Sequence, residues 1–192
     1  IERVSELIEE ATIPNVVVDP VMVGKLDSKL LADDAIEVLM SKLIPQATVI
    51  TPNMPEASVL LDGRQINNVD DLKAAAIDIH KQGPKYVLVK GGRLDGPAVD
   101  VLFDGETLTT FEAPRIDTVN TSGAGCTYSA AIAAYLGKGY TVVEAVQLAK
   151  SFVTTAIEYG FSYNEYVGPT YHAAIRQYGE AYQIKAENYS NN

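Results

Sequence analysis

A chain of 192 residues, 47% hydrophobic and 21% charged, is long enough for one well-buried domain or for a large part of a bigger one. Its formal net charge of −10 excludes bulk binding to nucleic acid or to an anionic membrane, so any phosphate is held locally, by backbone donors, a lysine or a cation. One cysteine excludes an intrachain disulfide and fits a cytoplasmic protein, and no apolar run reaches membrane-spanning length.

Ile1, Val4, Leu7 and Ile8 fall on one face of a helix that Pro14-Asn15 stops. The apolar run Val16-Val17-Val18 follows and reads as a strand buried on both faces, the pattern of a parallel sheet, ended by Asp19-Pro20. The spacing of Leu31, Ala35, Leu39 and Leu43 predicts a helix from Ser28 to Leu43, closed by Pro45. Thr48 to Thr51 is a second buried strand, and a short helix from Met54 to about Leu61 turns at Asp62-Gly63. Asp70 is the expected cap of a helix running to about Gln82, with Gly83-Pro84 as its stop. Tyr86 to Val89 is a third buried strand, running into Lys90-Gly91-Gly92. Val99–Phe103 and Leu108–Phe111 flank Asp104-Gly105, a strong hairpin signal, and their looser alternation suggests an antiparallel edge.

The chain is organised around Asp117-Thr-Val-Asn-Thr-Ser-Gly-Ala-Gly-Cys-Thr-Tyr-Ser129, a glycine-broken turn that runs into a small-residue helix beginning near Ala124. Gly123 and Gly125 admit a ligand where a Cβ would clash, and the first N–H groups of the helix favour an anion, phosphate above all. The plain alternative is a tight loop before a buried helix, with Cys126 as a small core residue. Further on, Thr141-x-x-Glu144 is a capping box for a long helix carrying Val142, Val146, Ala149, Val153 and Ile157, and Gly160 ends it. Residues 176–192 read as a surface helix and a frayed tail. Helix and strand alternate before the hairpin, without repeat or long linker, so residues 1–192 are expected to form a single α/β domain with a mostly parallel sheet.

Ligands of open parallel sheets bind outside the carboxyl ends of the strands. Those ends are Asp19, then Asn53 and Glu56, then Lys90-Gly91-Gly92, with the Asn120–Cys126 turn after the hairpin. Two carboxylates, a lysine and an anion-cradling helix start suit a phosphate ester with a divalent cation. Each has a plain alternative: Asp19 as a strand terminator, Asn53 and Glu56 as helix-start residues, Lys90 as a solvated lysine beside a turn.

These segments resemble the ribokinase-like superfamily, and within it the hydroxymethylpyrimidine/phosphomethylpyrimidine kinases with their pyridoxal-kinase-like members. The matching residues are Val18-Asp-Pro-Val-Met-Val23, Thr51-Pro-Asn-Met-Pro-Glu-Ala57, Val89-Lys-Gly-Gly92, Asp100-Val-Leu-Phe-Asp-Gly105 and Asn120-Thr-Ser-Gly-Ala-Gly-Cys126, within a resemblance that runs to about residue 175. The resemblance implies a three-layer α/β/α fold, ATP and Mg²⁺, and transfer of the γ-phosphoryl to a hydroxymethyl group on a heteroaromatic ring. It gives Gly123, Ala124, Gly125 and Cys126 the stabilisation of the transferring phosphoryl, and gives Cys126 the handling of the acceptor proton. Glu56, with Asn53 and Asp19, is implied to organise Mg²⁺; Lys90, Gly91, Gly92, Asn53 and Thr121 are implied to lie at the nucleotide. The superfamily normally has Asp where Cys126 stands, and Cys there marks the pyrimidine-kinase branch and its pyridoxal-phosphorylating relatives.

Two departures bear on this. Family members carry a Ser-Asp-Ser-Gly-Gly type segment and further strands upstream of the first strand seen here, so the chain is expected to be the carboxyl-terminal part of the kinase, with an exposed sheet edge. Gly24-Lys-Leu-Asp-Ser28 also lacks the glycine pair often found after that lysine. Tyr166-Val-Gly-Pro-Thr170 is similar to the pyridoxal-kinase members and Asp117–Thr121 to the pyrimidine branch, with the balance toward the pyrimidine. A non-catalytic nucleotide-binding module is the rival reading. A cysteine hydrolase is weaker, because His80 and His172 show no tie to Cys126 in the sequence, and His172 with the clustered tyrosines reads as surface packing. A small-molecule substrate, no nucleic acid, no membrane and a homo-oligomer are the expected partners.

Overall fold

The structure, a computed structural model, describes residues 1–24, 28–162, 166–180 and 182–190. In chain order the elements are α1 (Glu2–Ala11), β1 (Val17–Val18), α2 (Asp33–Val38), β2 (Val49–Ile50), α3 (Met54–Leu60), α4 (Val69–His80), β3 (Tyr86–Lys90), β4 (Ala98–Phe103), β5 (Thr107–Ala113), α5 (Ala124–Gly137), α6 (Val142–Glu158), α7 (Ala174–Tyr178) and β6 (Lys185–Ser190). The hydrogen-bonded strand order is β1-β2-β3-β4-β5-β6. Val17 pairs with Val49 and Val49 with Tyr86 in parallel, whereas Val87 faces Phe103 in an antiparallel pair, so the sheet is parallel at its start and mixed as a whole. The chain divides into two compact units, one of Ile1–Leu94, Val99–Thr110 and the stretch from Glu187, the other of Asp95–Ala98 and Phe111–Ala186.

In the first unit β2 and the middle of β3 are buried because they have no polar face: Val49, Ile50, Val87, Leu88 and Val89 are fully inaccessible. Leu72, Ala75, Ala76 and Ile79 of α4 and Ala57 and Leu60 of α3 complete this core. The helix predicted from Ser28 starts only at Asp33, because Val23 bridges Lys29 and Leu30 N–H donates to Met22 O, turning the chain back on itself first. It then runs on through a π-helical turn, Leu39–Leu43, and a 3-10 turn, Ile44–Gln46, where Pro45 stands at the turn start and its missing N–H costs nothing. Of its predicted stripe only Leu39 is buried; Leu31, Ala35 and Leu43 are half-buried. The glycine-poor loop at Gly24–Ser28 has its middle, residues 25–27, outside the described residues.

The predicted apolar face of α1 points outward, with Ile1, Val4 and Leu7 exposed. The helix docks instead through buried Ser5, whose hydroxyl donates to Lys42 O and accepts from Gln46 Nε2. The cap of α4 is Asn68, not Asp70: its side chain accepts from Asp71 N–H at 2.9 Å, while Asp70 sits in the first turn against Lys73. Asp104 accepts from the N–H groups of Glu106 and Thr107 and Gly105 takes φ 102°, which forms the expected hairpin. That hairpin is not an edge. Residues 185–190, read from the sequence as part of a frayed tail, form β6 beside β5, and Thr109 Oγ1 donates to Asn188 Oδ1 at 3.0 Å.

In the second unit α6 is capped as predicted: Thr141 Oγ1 accepts from Glu144 N–H and Glu144 Oε2 accepts from Thr141 N–H. Tyr128, Ile132 and Leu136 of α5 are buried, as are Ala145, Val146 and Ala149 of α6. Gln147 Nε2 donates to Ile184 O and Ser151 Oγ to Tyr182 O, fixing the segment that leads into β6. No helix among the described residues is long and apolar enough to cross a membrane.

Candidate active site

The carboxyl ends of β1, β2 and β3 bring Asp19, Asn53, Glu56 and Lys90 together. Lys90 N–H donates to Pro52 O at 2.8 Å, and a parallel bridge joins Asn53 to Lys90, so the β3 end is locked to the chain entering α3. Lys90 Nζ lies 2.8 Å from Asp19 Oδ1, with side chains only 11% and 16% exposed, and Thr51 Oγ1 donates to the same carboxylate at 3.0 Å. Glu56 is 2% exposed. Burial pushes its carboxyl above the ordinary 4.5, a shift opposed by the Asn53 N–H bond, Lys90 and Arg93 and reinforced by the charge of Asp19. Asn53 and Glu56 form a reciprocal capping box on α3: Asn53 N–H reaches Glu56 Oε2 at 2.8 Å and Glu56 N–H reaches Asn53 Oδ1 at 2.9 Å.

Gly91 and Gly92 serve different ends. Gly91 N–H donates to buried Asp100 at 3.0 Å, and a Cβ on Gly91 would collide with Val99 O and Leu72, so this glycine is required by packing. Gly92 is exposed, with open space where a side chain would stand. No group of three or more His, Cys, Asp or Glu poised to hold a metal exists among the described residues. Mg²⁺ takes one or two carboxylates and completes its octahedron with water and substrate phosphates, so the pair Asp19 and Glu56 fits it better than an all-protein cage would.

The glycine turn lies in the second unit. Gly123 takes φ 80° and is the first residue of the α5 start; Ala124 N–H donates to Thr121 O and Thr127 N–H to Gly123 O. Among the described residues the N–H groups of Gly123, Gly125 and Cys126 meet no acceptor, and Thr121, Gly123, Gly125 and Cys126 are exposed. Ser122 N–H donates to Gly168 O at 3.0 Å and Thr170 N–H returns to Ser122 O at 3.2 Å. A cavity of about 520 Å³ opens beside α5, lined by Cys126, Thr127, Ala130, Tyr135, Phe152 and His172 among others.

Sequence reading placed Asp19, Asn53, Glu56, Lys90, Gly91 and Gly92 at one set of strand ends and Thr121, Gly123, Ala124, Gly125 and Cys126 at one turn, and the structure groups them so, each set within its own unit. It adds Thr51 and Asp100, which hold Asp19 and Gly91, and His172, whose Nε2 lies 2.8 Å from Thr127 Oγ1 on the wall of the Cys126 cavity. Nothing in the sequence tied His172 to the turn, since their link crosses 45 positions. Thr51 was legible as the last residue of a strand and the first of a resembling segment, not as a partner of Asp19.

The phosphomethylpyrimidine kinase family model matches residues 1–171. The chain is 48% identical over 178 residues to a pyridoxine kinase of Bacillus subtilis, covering 92% of this chain, and 43% identical over 172 residues to a hydroxymethylpyrimidine/phosphomethylpyrimidine kinase of Streptomyces coelicolor, covering 90% of it. It spans 66% and 63% of the length of these two relatives. A pyridoxal kinase from Staphylococcus aureus solved in complex with AMP-PCP superposes with a TM-score of 0.90 at 36% identity, over 97% of this chain and 68% of that one. The fold is thus the ribokinase-like α/β arrangement of these kinases, present in part, and the chain belongs to the phosphomethylpyrimidine kinase family.

Proposed function

We propose that this chain carries the phosphoryl-transfer site of an ATP-dependent small-molecule kinase acting on a hydroxymethyl group of a heteroaromatic ring. The observation behind this reading is the start of α5, where the open N–H groups of Gly123, Gly125 and Cys126 share one exposed turn with the Cys126 thiol. Donors of this kind stabilise charge that develops on a transferring phosphoryl. The acceptor oxygen attacks the γ-phosphorus, the bond from that phosphorus to the β,γ-bridging oxygen breaks, ADP leaves, and Cys126 orients the acceptor hydroxyl or takes its proton. Within the first unit, Lys90 and Gly92 bind nucleotide phosphates, and Asp19 and Glu56 would hold Mg²⁺, with Asn53 fixing the Glu56 carboxylate. Mg²⁺, when bound, offsets the charge of the phosphates.

Two acceptors follow, each with its own support. Asp117-Thr-Val-Asn-Thr121 favours hydroxymethylpyrimidine and its monophosphate, a thiamin precursor reading; Tyr166-Val-Gly-Pro-Thr170 and the 48% identity to a pyridoxine kinase favour pyridoxal. The same reading makes the protein a cytoplasmic homo-oligomer, a state that light scattering checks. ADP release with Mg-ATP, measured side by side on hydroxymethylpyrimidine, its monophosphate and pyridoxal, separates the acceptors. Turnover with none of them while nucleotide binds supports a nucleotide-binding module and overturns the kinase reading for this chain. Cys126→Ala is expected to lower turnover by about 10²–10⁴-fold with nucleotide affinity nearly unchanged; equal losses in both would remove Cys126 from proton handling.

A further inference from the structure

Asn120 opens the glycine turn and is gripped from two directions. Its Nδ2 donates to Gly160 O at 3.2 Å, and its Oδ1 accepts from Ser162 Oγ at 2.5 Å. Two glycines are shaped around it. A Cβ on Gly160 would stand 2.8 Å from the Asn120 Cβ and 2.9 Å from its carbonyl oxygen, and a Cβ on Gly168 would collide with Asn120 Oδ1 and with Phe161 O. Two residues further along, the backbone repeats the attachment: Ser122 N–H to Gly168 O and Thr170 N–H to Ser122 O. Tyr171 N–H to Ala156 O then ties the gripping segment to the end of α6. The turn that presents the open N–H groups is thus hung on Gly160, Ser162, Gly168 and Thr170, and among the described residues Asn120 is its one side chain engaged on both of its polar atoms there.

Backbone donors act through direction, and a misplacement of about 1 Å can cost a catalytic constellation about 100-fold. The glycine turn has φ freedom of its own at Gly123, so something outside it must fix its aim. We propose that Asn120 is the positioning residue of the phosphoryl cradle, setting the aim of the Gly123–Cys126 N–H groups through Gly160 and Ser162 without touching substrate. This rests on the kinase reading above, and its test includes a measurement that does not.

The full chain is compared with Asn120→Ala, Ser162→Ala and the double variant, using the acceptor that the unaltered chain turns over. Asn120→Ala is expected to lower kcat by about 30-fold with the KM for ATP within about threefold, because the cradle is misaimed while Lys90 and Gly92 lie outside the turn. Ser162→Ala is expected to lower kcat about threefold, and the double variant to be no worse than Asn120→Ala, since both act on one attachment. The alkylation rate of Cys126, the chain's sole thiol, is read with iodoacetamide at a temperature matched to each variant's Tm, and is expected to change by about threefold or more in Asn120→Ala. Parallel losses in kcat, nucleotide affinity and Tm, with alkylation unchanged, overturn the proposal and make Asn120 a residue of general stability. Additive effects of the two substitutions overturn it as well. If the unaltered chain turns over no acceptor, the kinase reading fails, and the alkylation rate alone then supports or overturns the positioning role.

Discussion

At the ends of β1, β2 and β3 the charge is carried by side chains buried against one another; at the start of α5 it is carried by backbone N–H groups open to solvent. The first arrangement removes ions from water and must offset that cost by pairing, as Lys90 does with Asp19 and Asn53 with Glu56. The second leaves its donors open to solvent, and its aim depends on attachment to Gly160, Ser162, Gly168 and Thr170. A substitution in the first region should therefore appear in stability as well as in nucleotide binding, and one in the second chiefly in turnover.

Lys90→Met gives the largest expected stability effect. It leaves the Asp19 carboxylate half-paired in a nearly buried setting, and a loss of about 3–5 kcal/mol is expected in urea unfolding. Asp19→Asn in the same chain should restore most of it; no restoration would mean that the two charges are not coupled. The two capping boxes come next. Asn53→Ala should cost about 1–2 kcal/mol and Thr141→Ala about 0.5–1 kcal/mol, because the Asn53 box anchors a buried Glu56 and the Thr141 box an exposed Glu144. Equal losses would show that burial adds nothing to the cap.

The smallest effect concerns pH. Glu56 has a carboxyl raised above 4.5 by burial, so across the interval from 4.5 to its folded value the folded chain keeps a proton that the unfolded chain has lost. Stability from this group therefore falls as pH rises through that interval and is lowest above it. Glu56→Gln keeps an oxygen for the Asn53 N–H and removes the charge, so the melting temperature should become flatter from pH 4.5 toward neutrality and no lower at neutral pH. A steeper dependence in the variant would contradict the assignment of the shift to burial.

The placement of the candidate site residues was legible because their signals are local: a strand ending in Asp-Pro, a capping box, a Gly-Gly after an apolar run, a Gly-x-Gly before a helix. Burial class was also legible for β2 and for Val87–Val89, where every side chain is apolar. What escaped was set by tertiary partners. Ser5 rather than Leu7 faces inward because Lys42 and Gln46 offer it hydrogen bonds, which no period in α1 encodes. Asn68 outcompeted Asp70 as a cap by two positions, within the ordinary uncertainty of helix ends. β6 is polar, and becomes a strand because β5 presents an unpaired edge to it.

That last strand has a consequence for synthesis. The Thr109–Asn188 pair closes a loop of 79 positions, among the longest-range links in the sheet. Non-local closures of this kind are slow and late in folding. A nascent chain emerging from the ribosome therefore holds β5 as a bare, aggregation-prone edge until Lys185–Ser190 has been made, and factors that shield such edges would act in that interval.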